Sequence, residues 1–362
     1  MFRSWTLKLK WLVSCRALLG RQASYYPGEP HKSRLRIACD QLRFFFKYGY
    51  LEEYYYPYGF DRASMTRARM AEYIVPYRAF LYRVDRLNFQ NPYFDEYEGQ
   101  MTGRVLDQDK FYFYLFLSRL GFPTPRVLLY VRGGKDLYVD PSLSGRLEGL
   151  FVADLDAFAK PVGGMMGAGG FRLQVSQGEI RVNGLVTTAE SVTARLVSGD
   201  YLVQEYIVQH ERLAAFCPSC VNTLRLHTVM DKDGQVHAFG PLMRMGRAGS
   251  TVDNWASGGV LVGIDESGRL MDRGVMKPGY GTVTLEHPDT HIPFAGYEIP
   301  FYREATEMVV SLHRLMYRNH SIGWDVAITP QGPVIIEGND RWEISMIQAV
   351  HGPMGFLKHY FE

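Results

Sequence analysis

The spacing of hydrophobic and polar positions changes near residue 109, and the two sides of that change predict different elements. Before it, residues 35–50 and 63–88 mix apolar and charged side chains at helical spacing, with Pro57-Tyr-Gly59 and Asn91-Pro92 as breaks. Residues 109–120 read as one more helix, closed by Gly121 and by the stop Pro123-Thr-Pro125. Beyond it the runs are short and β-branched or alternating, at 127–131, 158–161, 171–175, 180–186, 201–207, 222–230, 237–245 and 259–264. Helices are expected over 188–196 and 300–319. Two last strands, 323–329 and 333–337, are joined by the turn Pro330-Gln-Gly332. Strands and helices do not alternate regularly, so the expected fold is α+β with mostly antiparallel neighbours.

At 362 residues the chain is long enough for two or three packed lobes. Hydrophobic residues make up 46% and charged residues 22%, as in a soluble globular enzyme, and a net charge of +2 gives no general attraction to nucleic acid. The charge is uneven. Residues 1–40 hold eight Lys/Arg against two acids, among Phe2, Trp5, Leu7, Trp11 and Leu12. Residues 1–20 have two readings: a basic helix packed on the body, which is the commoner case, or an amphipathic helix on an anionic membrane with Arg3, Lys8, Lys10 and Arg16 at the headgroups. Lys8 and Lys10 interrupt the apolar stretch, against a signal peptide, and no apolar run reaches the ~18–20 residues that span a bilayer. The expected location is cytoplasmic, with peripheral membrane contact through residues 1–20 as the second reading.

Of four cysteines, Cys217-Pro-Ser-Cys220 invites a zinc or redox reading. A second ligand pair is missing, and a strand-like segment follows where a redox pair needs a helix, so reduced thiols are expected. The first hundred residues hold 13 of the 24 tyrosines; such a layer is packing before it is chemistry.

Three pieces carry chemistry. In the last hairpin, Glu337 and Asn339 share a face, and a tight turn brings Asp325 beside them. Two carboxylates and an amide oxygen form a hard-oxygen site suited to Mg²⁺ with nucleotide phosphates, where the bland reading is a polar strand end. Lys160 ends a strand before a glycine run that includes Gly163, Gly164, Gly167 and Gly169. A lysine so placed reaches phosphate oxygens while the glycines let backbone N–H groups approach; an inert glycine-rich hairpin is the alternative. The run is neither a Walker loop nor a dinucleotide fingerprint, because the lysine precedes the glycines and a strand follows. Last, the strand edge at Gln204, Glu205 and Ile207 offers donors and acceptors to an adenine, with His210 or Glu211 in reach of ribose hydroxyls.

In this order, over about residues 105–355, these pieces resemble the ATP-grasp superfamily, in particular the sugar-transfer-associated proteins and the ligases that add glutamate to a ribosomal protein. Asp109-Lys110 with Gly121-Phe-Pro-Thr-Pro125 looks like the family's first nucleotide lysine and its turn. Lys160 is similar to the second lysine, and Gln204-Glu-Tyr-Ile207 to the adenine hinge. Arg225 stands where an arginine faces the phosphates, and Arg244 with Asn254 resembles the substrate loop. Asp325, Glu337 and Asn339 have the spacing of the metal ligands. The arginine usual before the loop asparagine is absent at Val252-Asp253, with Arg247 as a substitute. The first hundred residues do not look like the family's usual pre-domain.

The resemblance implies two α+β lobes clasping ATP, with Mg²⁺ or Mn²⁺. It divides the chain into a helical region (1–104), a lid-side lobe with the glycine flap (105–203) and a C-terminal lobe with the metal site (204–362). It implies carboxylate–amine ligation through an acyl phosphate, with a small-molecule or glycan-linked carboxylate as substrate. Arg225, Arg244 and Asn254 would handle the reacting groups. A phosphotransferase and a non-catalytic nucleotide-binding scaffold are the alternatives. No motif fixes an oligomeric state.

Overall fold

The computed structural model describes residues 23–89, 109–162, 169–247 and 249–361. Helix α1 (Arg34–Tyr48) begins where the Ser33 side chain accepts from the Arg36 N–H and ends at Gly49, whose φ of 80° suits glycine. The expected 63–88 helix is split into α2 (Arg67–Ala71) and α3 (Tyr77–Phe89). Pro76 lacks an N–H donor and disfavours the helical conformation at Val75, so the chain leaves one helix before starting the next. Helix α4 (Lys110–Leu120) starts at Asp109, whose carboxylate accepts from the N–H groups of Phe111 and Tyr112, and it ends at Gly121.

The first sheet holds β1 (Val127–Arg132), β2 (Lys135–Val139), β3 (Leu155–Pro161), β4 (Phe171–Ser176), β5 (Glu179–Val182), β6 (Leu185–Thr187) and β7 (Tyr201–Glu205). Its order is β2-β1-β7-β3-β4-β5-β6, antiparallel throughout. Alternation decides its faces. Ala157, Ala159, Phe171, Leu173 and Val203 turn to a core closed by Val192 and Leu196 of α5 (Ala189–Val197). The strand expected over 180–186 is instead a hairpin, because Asn183 and Gly184 take positive φ values of 50° and 81°.

The second sheet holds β8 (Thr223–Met230), β9 (Val236–Met245), β10 (Val260–Ile264), β11 (Leu270–Met276), β12 (Val283–Thr284), β13 (Ser321–Thr329) and β14 (Gly332–Asn339). Its order is β12-β11-β10-β9-β8-β13-β14, again antiparallel. The short α6 (Glu211–Ala214) precedes it; α7 (Tyr302–Leu315), α8 (Ile344–His351) and α9 (Lys358–Phe361) complete the described helices. None of the described helices is long and apolar enough to cross a membrane.

One face of the second sheet, with Leu224, Leu226, Met243, Val260 and Trp324, packs on Val309 and Leu312 of α7 and on Phe113 and Leu117 of α4. The opposite face, with Val229, Leu242 and Leu261, meets Ile344 and Ile347 of α8 and the aromatic residues of the N-terminal region. Tyr54, Tyr55, Tyr58, Phe60, Tyr73 and Tyr77 are buried there, each contributing about 2 kcal/mol of apolar burial. The tyrosine-rich region is therefore one layer of the second sheet's core.

Residues 121–126 lead from α4 into β1, and the Ile335 N–H of β14 donates to the Pro123 carbonyl at 2.9 Å; residues 206–222 lead from β7 to β8, and the two connections meet the first sheet side by side. The Glu205 N–H donates to the Arg126 carbonyl at 2.9 Å, and Arg126 Nε lies 3.0 Å from Glu205 Oε1. Helix α4 touches both sheets, since Phe111 and Tyr114 pack beside Tyr130 and Tyr138 while Phe113 and Leu117 enter the second core.

Candidate active site

The sheets face each other across a cavity of about 500 Å³, a size common for small-ligand sites. Phe158, Lys160, Arg172, Gln174 and Gln204 alternate with the first core, so they project from the first sheet into the cavity. Thr223, Arg244, Asp253, Asn254, Asp325 and Glu337 line the other wall.

That wall is built by register. Arg225 on β8 stands opposite Asp325 on β13, which stands opposite Glu337 on β14. Beyond Asp325 the register shifts by one, and Ile336 and Glu337 both reach the cavity, as a bulge re-aims side chains. Arg225 grips Asp325 with two bonds, Nε–Oδ1 at 2.6 Å and Nη2–Oδ2 at 3.2 Å. Arg244 Nη1 reaches the same two oxygens at 3.2 and 3.3 Å, and its Nη2 lies 2.7 Å from Asp253 Oδ1. Asp253 also accepts from the Thr223 N–H at 2.9 Å and from its hydroxyl. Burial opposes the charge of Arg244, yet Asp253 and Asp325 outweigh it and raise its pKa. Gly323 leaves this cluster room, since a Cβ there would lie 2.8 Å from Trp342 Cβ and 3.2 Å from Arg225 Nη1.

Lys160 is the contrary case. Burial pulls its pKa down to about 8; Glu337 and Asp325 pull it up, and Lys110 adds to the depression. Lys110, in the first turn of α4, donates to the Val162 carbonyl at 3.1 Å and sits 3.6 Å from Glu337 Oε1, so it touches both walls. At the cavity's other end the Tyr206 N–H donates to the Asp156 carbonyl, and the Arg172 guanidinium lies 3.7 Å from the Tyr206 ring centre. Glu205, Tyr206 and Ile207 line that end.

The structure thus brings together, around one cavity, Lys110, Lys160, Gln204, Glu205, Ile207, Arg244, Asn254, Asp325 and Glu337. Arg225 lies just behind the wall, acting on it through Asp325. Glu211 is not among the lining residues: the His210 N–H is tied to the Ile328 carbonyl and Leu213 enters the second core, which draws α6 away. Asn339 is not among them either; its amide N–H donates to the Gly323 carbonyl at 3.1 Å. Arg247, the expected substitute for the missing loop arginine, is not among the lining residues; its guanidinium turns to Asp289 at 3.4 Å. Gly169 borders the lining at Gly170. Gly163, Gly164 and Gly167, like the basic residues 1–20, lie outside the described residues.

Several lining residues escape a reading of the sequence. Asn183 and Gly184 reach the cavity from the β5–β6 turn, and Asn-Gly between alternating strands was their available signal. Arg172, Gln174 and Thr223 alternate with core residues, which their strand period alone could have flagged. Asp253 carries no such signal. Cys217 and Cys220 are free, buried thiols, as expected. Hydrogen bonding from Cys220 lowers the pKa of Cys217 to about 6 and raises that of Cys220. Ser219 between them lines the cavity.

No group of three His, Cys, Asp or Glu among the described residues would hold a metal alone. Asp325 and Glu337, paired across neighbouring strands beside cations, do fit a divalent ion that arrives with phosphates, since Mg²⁺ commonly takes one or two carboxylates and leaves the remaining positions to phosphate and water.

The model of the family described as sugar-transfer associated ATP-grasp matches residues 88–359. Among solved structures, an N5-carboxyaminoimidazole ribonucleotide synthetase in an ADP complex is 10% identical, over 67% of this chain and 46% of that one, with a TM-score of 0.39. An L-amino acid ligase from Bacillus licheniformis is 12% identical, over 66% and 41%, with a TM-score of 0.38. A D-alanine–D-alanine ligase from Bacillus anthracis, complexed with ATP, is 12% identical, over 71% and 62%, with a TM-score of 0.38. The chain spans less than half the length of the first two. No protein of curated function matches the sequence.

Proposed function

The chain belongs to the sugar-transfer associated ATP-grasp family, and from that premise we propose that it is an ATP-dependent carboxylate–amine ligase. The observation that carries this reading is the pairing of walls: Lys160 facing Asp325 and Glu337, Lys110 bridging to Glu337, and Arg244 and Asn254 alongside. The carboxylate attacks the γ-phosphate, giving an acyl phosphate and ADP; an amine then displaces phosphate, leaving an amide. The chain's contribution is positioning and charge neutralisation, because phosphoryl transfer asks little covalent chemistry of a protein.

Lys160 and Lys110 hold phosphate oxygens. Asp325 and Glu337 would hold Mg²⁺ or Mn²⁺, and a divalent ion there supplies further neutralisation of phosphate charge. Arg244, kept charged by two carboxylates, orients the substrate carboxylate with Asn254, and Arg225 positions Asp325. The backbone from Gln204 to Ile207 takes the base. The substrates proposed are a small-molecule or glycan-linked carboxylate and an amine.

A screen for ADP release over paired carboxylates and amines, read by mass, tests this. The expected product is the two substrates joined with loss of one water, formed only with both present, and Glu337→Ala abolishes it in a folded protein. A phosphorylated product formed without any amine would overturn ligation in favour of phosphotransfer.

A further inference from the structure

Helix α1 has two apolar faces, and among the described residues the core takes up one of them. Ile37 and Phe44 are buried in the aromatic layer. Beside them Gln41 donates to the Glu52 carbonyl at 3.1 Å and accepts from its N–H at 2.9 Å. Asp40 takes Lys32 Nζ at 2.8 Å and the Tyr55 hydroxyl at 2.9 Å. On the opposite side, Leu35, Cys39, Leu42 and Phe46 follow at spacings of four, three and four, which puts them within about 60° of one another around the helix. Leu35 is 77% exposed, Leu42 46% and Phe46 81%.

The charges beside this stripe all have one sign. Arg36, Arg43 and Lys47 run along one flank and Arg34 along the other, all exposed. The single acid of α1, Asp40, is buried and ion-paired with Lys32. A solvated helix face mixes acids with bases and carries few large apolar side chains. An apolar stripe rimmed only by cations is instead the composition of a helix lying in an anionic lipid interface. A second copy of the chain fits it poorly, because a symmetric contact would set the four cations against their equivalents.

We propose that α1 seats the protein on an anionic lipid surface, with Leu35, Leu42 and Phe46 entering the acyl boundary and Arg34, Arg36, Arg43 and Lys47 meeting headgroups. This assignment stands apart from the proposed reaction, since none of these residues lines the cavity.

Co-sedimentation of the full chain with vesicles of phosphatidylcholine, alone or mixed with phosphatidylglycerol, tests it. The expected result is binding to the anionic vesicles that weakens with salt and is at least tenfold poorer on phosphatidylcholine alone. Arg36→Gln with Arg43→Gln should lower binding about twenty-five-fold, at roughly fivefold per basic residue. Leu42→Glu with Phe46→Glu should lower it at least as much. Unchanged melting temperatures show that both variants remain folded. Three results would overturn the proposal: no binding by the wild type to any vesicle, both variants binding as the wild type does, or a wild-type dimer lost in the Leu42/Phe46 variant without lipid binding.

Discussion

Lys160 meets opposing demands: burial favours its neutral form, and Glu337 and Asp325 favour its charge. A triphosphate beside it would add to the second side. Its pKa near 8 should therefore rise on nucleotide binding, with uptake of a proton wherever the free lysine is partly neutral. The sign follows: affinity for ATP should be full below pH 8 and should fall as pH rises through that value. Calorimetry at pH 8 in buffers of different ionisation enthalpy should show proton uptake in the wild type. Lys160→Arg, which stays charged, should show none and should flatten the pH dependence. Lys160, Asp325 and Glu337 were legible in the sequence because residue type and strand position agree there. Asp253 and Gly323 were not, since one acts by holding Arg244 and the other by having no side chain.

At the scale of elements, the loop that brings Asn254 to the cavity is held from behind. The next residue, Trp255, stacks on Tyr54 with ring centres 5.6 Å apart and 16° between planes, and its indole N–H donates to the Val275 carbonyl at 3.1 Å. Tyr54→Ala should cost about 3 kcal/mol in urea denaturation. Trp255→Phe should cost about 1 kcal/mol, for the lost hydrogen bond. Both should also slow carboxylate-dependent ADP release, because Asn254 loses its support; release unaffected by either variant would detach the aromatic layer from the site. The layer's tyrosines were visible in the sequence, but helical spacing does not say which sheet they cover. Strands β2 and β11 were missed for a related reason: Lys135–Val139 and Leu270–Met276 place charged residues and a glycine where an apolar period was sought.

For the whole molecule, a nucleotide in the cavity would touch both sheets and so stabilise their apposition. At a hundred times its Kd, MgATP should add ~2.7 kcal/mol to stability, an upward shift of several degrees in Tm. Lys160→Ala should lose most of that shift, and a wild-type Tm indifferent to MgATP would remove the nucleotide from this cavity. The antiparallel α+β character was readable from short strands without regular helical crossovers. The order of strands within each sheet was not, because pairing partners are chosen by contacts far apart in the chain.

The two connections that meet the first sheet together at Arg126 and Glu205 have a mechanical consequence. Sheets joined along one edge turn about that edge more easily than they slide past each other, as covers turn about a spine. With such a spine at Arg126 and Glu205, Gln204 to Ile207 would move little, whereas groups farther from it would sweep through the larger arc. On the proposed reading, recognition of the base and grip on the phosphates would then be separable in time: the base would be held while the far side stood open to a substrate, and turning about the spine would bring the charged walls together.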